Sequence, residues 1–365
     1  MSGGSSGGST ANLYVSPNGN DSSSCTSSAP CKTINRAASL SVAGNVISVA
    51  AGTYGGFTIS RSGTSSAPIT YKANGTVTVS NSGGYGIYIN NASYVVIDGF
   101  TVTNTGSKGI AARGATPTSP MRGLVIKNNS VSNTQEEGMY LSEVASSLVE
   151  NNVITDVGLE GVETTGHGIY LANAGSKNTI IRGNTLQAKS NTWGQAIHMN
   201  GDVSVGGDGV ITGLTIENNW ILGGFNNGLS MDGVQSSDIR NNVIVNTAHH
   251  GIRAYQIDGA AGPKGLRIVN NTINAPKGNA VKTTEDAGAS VVFNNILVGR
   301  DGATSFESSS STSNNVTTWA VNSDYSPQTA AIGKGITSYA GVTAPSKDID
   351  GRARQTPYDV GAVAH

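Results

Sequence analysis

Aromatic side chains are scarce in this chain of 365 residues, at 5%, and charged ones reach only 12%. A core built on large rings is excluded. The 37% hydrophobic content suits a narrow core of Ile, Val, Leu and Ala. The net charge of -1 gives no broad basic field, which excludes nucleic acid as the expected partner. No apolar run approaches the roughly 20 residues that a membrane-spanning helix needs. Only two cysteines occur, Cys25 and Cys31, separated by Thr-Ser-Ser-Ala-Pro in a polar loop. A small-loop disulfide is expected there, and with it an oxidising, extracellular setting. The opening Met1-Ser-Gly-Gly-Ser-Ser-Gly-Gly-Ser reads as a flexible linker over 1–11. A secretion signal ahead of Ala11 is expected in the full-length gene.

What the chain has in abundance is glycine, 49 residues, and one recurring pattern. A Gly opens a short alternating strand; a polar turn leads to a second strand, then Asn-Asn and a third strand. First strands include Gly86-Ile-Tyr-Ile-Asn90, Gly138-Met-Tyr-Leu-Ser142, Gly168-Ile-Tyr-Leu-Ala172 and Gly251-Ile-Arg-Ala-Tyr255. Asn pairs follow at 128–129, 151–152, 218–219, 241–242, 270–271 and 294–295, with Gly183-Asn184 in the same place. The period of roughly 23 to 35 residues is that of a solenoid. The alternation has period two, which makes the segments strands and excludes helical repeats. Three short strands per repeat describe one coil of a parallel β-helix. Asn tolerates left-handed backbone, and stacked inward Asn amides can pair from coil to coil at a tight buried turn. The expected fold is thus all-β, a right-handed parallel β-helix over 57–308. An N-terminal cap over 12–56 would carry a short helix at Thr33–Leu40, and a C-terminal segment over 309–365 would pack on the last coils.

The start Tyr14-Val-Ser-Pro-Asn-Gly-Asn-Asp21, the Gly-Ile-Tyr-Leu and Asn-Asn coils and the tail Asp348-Ile-Asp-Gly-Arg352 resemble bacterial right-handed parallel β-helix repeat proteins. The resemblance covers nearly everything after residue 11. It implies a group that includes pectate and alginate lyases, polygalacturonases and mannuronan epimerases. It also implies that a polymer lies along the face made by the first strand of each coil. Fold alone does not choose among these chemistries.

Alternation sorts that face. The first outward row reads Tyr88, Ala111, Tyr140, Tyr170, His198, Ser230, Arg253, Lys282. The second reads Asn90, Arg113, Ser142, Ala172, Asn200, Asp232, Tyr255, Thr284. Tyr88, Tyr140, Tyr255, Arg113 and Asn200 are candidate sugar-binding residues. Lys282, Arg253, His198, Asp232 and Tyr170 are candidate catalytic ones. Long turns at 114–121, 157–166, 201–210 and 256–264 are placed to wall the groove.

The first chemistry is β-elimination on an acidic polysaccharide, with Lys282 or Arg253 as base and Tyr170, Tyr255 or His198 handling the second proton. Arg113, Arg253 and Lys282 would attract uronates. The second is glycoside hydrolysis, which wants two carboxyls; Asp232 is the candidate, with Asp202, Glu143 or Glu285 as partner. Gly166-His-Gly-Ile169 resembles a polygalacturonase segment without its upstream aspartates. The Asp-Pro-His-Glu motif of the epimerases is missing. The third is a non-catalytic, adhesive or carbohydrate-binding solenoid. No cofactor is required by these readings. Calcium at Glu137, Glu143 and Glu163 is the optional one, while His167, His198 and His250 read as hydrogen-bonding residues rather than a metal site. A monomer is expected.

Overall fold

The computed structural model describes residues 12–161, 166–189, 193–284 and 286–365. Within them, ten short strands pair in parallel into one sheet, from Phe57–Ile59 through Met139–Ser142 and Ile169–Ala172 to Thr304–Ser305. The other two strands of each coil form a second, 20-stranded sheet. The chain is a parallel β-helix. Its pairing runs in register, Tyr88 to Ala111 to Tyr140 to Tyr170 to His198 to Ser230 to Arg253 to Lys282.

Inward positions stack like on like. Ile110, Met139, Ile169, Ile197 and Leu229 line one inner row, all fully buried. Burying each such side chain contributes about 1.5–3 kcal/mol. The recurring Gly marks a close approach. A Cβ on Gly228 would stand 2.3 Å from Ile244 and 2.6 Å from the Gly251 carbonyl of the next coil. Ala196 and Ala280 occupy the equivalent position in two coils.

The Asn pairs divide their labour. The first member takes the left-handed turn, as at Asn128, Asn151, Asn218 and Asn241, with φ of 57°, 54°, 56° and 53°. The second points inward. Asn129, Asn152, Asn184, Asn219, Asn242, Asn271 and Asn295 each donate to the amide oxygen of the next coil's Asn at 2.9–3.0 Å, ending on Asn315. The same oxygens accept the backbone N–H of the preceding coil.

The ends are closed in different ways. The helix Ile34–Leu40 buries Ile34, Ala37 and Ala38, and Thr33 caps it by accepting from the Arg36 N–H. Asn35 accepts the Thr58 N–H and so blunts the edge of the first groove strand. Cys25 and Cys31 are disulfide-bonded beside it. The 20-stranded sheet reaches beyond the expected 57–308 limits, from Leu13–Val15 and Val46–Gly55 to Ser311–Ser313. The tail lies along the outer face of that sheet. Ile349, Ala362 and Val363 pack on Val243 and Val245. Buried Arg354 donates to Asn241 and to the carbonyls of Gly361 and Ala362.

Candidate active site on the ten-stranded sheet

The outward rows do not form one uniform groove. The turns at 201–210 and 256–264 close over their middle. Ala261 N–H donates to the Gly209 carbonyl, and Asn200 donates to Asp258 at 2.8 Å. Asp232 accepts the Ile257 N–H at 2.9 Å and is fully buried. This corrects the expectation that Asp232 and Asn200 face the sugar: both anchor a loop. Tyr255 is corrected as well. Its ring is buried under the Arg253 guanidinium, 4.0 Å away, and its hydroxyl meets Ser230 at 3.1 Å. A ring covered in this way offers no stacking platform.

Lys282 lies beside Arg253, but four strands from Tyr170. At about 4.8 Å per strand that is roughly 19 Å. A base at Lys282 and an acid at Tyr170 therefore cannot serve one glycosidic bond. Of the expected base–acid pairings, this one fails on distance.

Nearer the N-terminal end the face stays open. Arg113 is exposed, while Tyr88, Tyr140 and Tyr170 are half-buried. The Arg113 guanidinium lies 4.9 Å from the Tyr140 ring centre. Tyr140 and Tyr170 meet edge to face at 5.4 Å. Tyr170 stacks on His198 at 4.6 Å with planes 10° apart. Burial pushes the Tyr170 hydroxyl well above the ordinary phenol range, with the nearby Asn200 amide pulling the other way. His198, expected in the groove, lies in the same outward row as Tyr170 on the next strand but is only 9% exposed, packed flat against the Tyr170 ring. Burial, helped by His167, keeps it neutral far below the ordinary imidazole range.

Glu137, His167 and His250 were singled out one by one in the sequence, and the row they belong to was overlooked: the residue just before each strand-opening Gly or Ala from Gly109 onward. Lys108, Glu137, His167, Gln195, Asn227, His250 and Asn279 occupy it. Buried Lys108 pairs with Glu136 and with Glu137, the latter at 3.1 Å, and its ammonium lies 5.2 Å from the Tyr140 ring centre. Burial pulls Lys108 down, but the two carboxylates outweigh it and hold it protonated. Further along, each side chain accepts the next coil's N–H: Gln195 to His167, Asn227 to Gln195, His250 to Asn227, Asn279 to His250. A polar residue at a fixed offset before the Gly was the available signal.

The carboxylates near the face are committed. Glu137 belongs to Lys108, Glu143 accepts from Asn173, and Asp202 accepts from Ser204. Glu163 and Glu285 lie outside the described residues. Among the described residues no three His, Cys, Asp or Glu cluster as metal ligands would. No helix among them is long and apolar enough to cross a membrane.

The buried histidines carry a stability prediction. His250 is lowered to about 4, mainly by burial, and His198 is lowered too. The unfolded chain therefore binds more protons below the ordinary histidine pKa of about 6.5, so stability must fall as pH drops from there toward about 4. Denaturant midpoints measured across that window should decline. In a variant with both histidines replaced by Gln the decline should be shallower.

Residues 34–210 match the family model of the right-handed β-helix region. No curated protein matches the sequence. Among solved structures, the alginate lyase from Paenibacillus sp. str. FPU-7 superposes with a TM-score of 0.57 at 18% identity, covering 84% of this chain and 99% of the lyase. Pectate lyase Pel9A gives 0.53 at 19% identity, covering 98% and 97%. XylC, solved with xylose, gives 0.59 at 13% identity, covering 81% and 70%. The chain shares the right-handed parallel β-helix fold of these structures.

Proposed function

We propose that this chain is an extracellular polysaccharide lyase that cleaves a uronic-acid polymer by β-elimination at Arg113, Tyr140 and Tyr170. One observation carries the reading: an exposed guanidinium and two tyrosines share an open face on which the neighbouring described carboxylates are already engaged. Hydrolysis usually asks for two available carboxyls about 5–10 Å apart, one of them activating water or attacking the sugar. Elimination asks instead for a cation on the uronate and a proton-transfer group. The likeness to alginate and pectate lyase structures supports the fold for such a task, and the disulfide supports an oxidising location.

In this reading Arg113 pairs with the uronate carboxylate and stabilises charge developing at C5. Tyr140 packs on the sugar. Tyr170, as its phenolate, takes the C5 proton. The C–H electrons form the C4–C5 double bond, the C4–O bond breaks, and the leaving oxygen takes the proton back from Tyr170. The cycle needs no other reactant. Arg253 and Lys282 hold carboxylates of sugars further along the chain, and calcium is not needed.

A panel of neutral and uronic polymers, with and without calcium, tests this through ultraviolet absorbance and reducing ends. Absorbance rising on an acidic polymer supports it. Reducing ends without absorbance would point to hydrolysis, and binding without either to an adhesive solenoid. Arg113→Ala should lower kcat on the acidic polymer about a hundredfold and raise KM as well, because the contact binds the carboxylate and strengthens as charge develops. Steady-state kinetics at two salt concentrations checks this, and the wild-type salt dependence should shrink in the variant.

A further inference from the structure

Two buried histidines stand behind Tyr170, and their hydrogen bonds run in one direction. His167 Nδ1 accepts the Gln195 backbone N–H at 2.9 Å, which places the His167 proton on Nε2. That Nε2 lies 3.1 Å from His198 Nδ1, so it donates there. His198 must then carry its own proton on Nε2. The His198 ring lies flat against Tyr170, and the His167 ring meets Tyr170 edge-on at 4.9 Å. His198 Nε2 is buried and has no hydrogen-bond partner. A buried donor without a partner is costly, so the surroundings must hold the ring in place.

We infer that His167 is a positioning residue for the Tyr170 chemistry, acting through His198: it fixes the tautomer and tilt of the imidazole against which the Tyr170 ring is set. The inference rests on the proposed role of Tyr170. His167 also has a purely structural task in the row it shares with Gln195, Asn227 and His250, since all accept the next coil's N–H. The two tasks are separable. Asn227 shows that an Asn fills the structural one. An Asn at 167 is too short to reach His198 as well, whereas Gln has the length for both.

The experiment compares His167→Asn and His167→Gln with the wild type by thermal unfolding, by nitrogen NMR of the His198 side chain, and by kcat and KM on a cleaved acidic polymer. The wild type should show His198 in the Nε2–H tautomer. His167→Asn should keep its thermal midpoint, lose that single tautomer, and drop in kcat about a hundredfold with KM little changed, the scale expected when a reacting group is misplaced by about 1 Å. His167→Gln should restore both tautomer and kcat. An unchanged His198 tautomer and kcat in His167→Asn would overturn the inference while leaving the lyase reading intact. If no polymer is cleaved, the lyase reading fails and the NMR result decides: a tautomer lost with Asn and kept with Gln supports the relay, and one kept in both overturns it.

Discussion

Tyr170→Phe is expected to lower kcat by about a hundredfold to ten-thousandfold, the range of a lost acid–base group. The substitution removes only the hydroxyl and keeps the ring stacked on His198 at 4.6 Å, so the fold should be unaffected. The pH profile gives a second signature. Burial raises the Tyr170 pKa, so little phenolate exists at neutral pH. The reactive form grows as pH rises, and wild-type kcat/KM should climb through the alkaline range. The residual activity of Tyr170→Phe should lack that limb. A flat wild-type profile, or full activity in the Phe variant, would remove Tyr170 from the chemistry.

The second large effect concerns stability. Asn219→Ala should cost about 3 kcal/mol or more, because several buried groups lose partners together at about 1–3 kcal/mol each. Asn219 accepts from both the backbone and the side chain of Asn184, and donates to Asn242 and to the Ile181 carbonyl. Asn315→Ala, at the partly buried end of the same ladder, should cost about 1 kcal/mol. Urea unfolding of the two variants measures the difference. Equal costs would mean that the ladder is not cooperative along its length.

Much of the fold could be read from the residues because each coil repeats one local rule. Period-two alternation set which side chains face inward, and the repeating Gly set the register, so the outward rows from Tyr88 to Lys282 fall where the pattern placed them. The Asn pairs were legible for the same reason. The accessibility of the outward rows was not. Asp232 and Asn200 alternate outward just as Arg113 does, yet the 256–264 loop covers them. That loop is held by contacts to the 201–210 turn, which no periodicity encodes. Tyr255 was misread because a neighbouring Arg253 lies across its ring, a matter of rotamer rather than of register. Lys108, Gln195, Asn227 and Asn279 were missed because they lie just outside the alternating strand, where polar residues look like ordinary turn.

The most direct test of the central claim is to digest the acidic polymer that this protein cleaves in heavy-oxygen water and weigh the products. β-Elimination adds no water, so the account predicts unsaturated products, lighter by one water than hydrolytic ones, with no heavy oxygen incorporated in the cleavage step. One heavy oxygen at each new reducing end, in saturated products, would contradict it and make the protein a hydrolase.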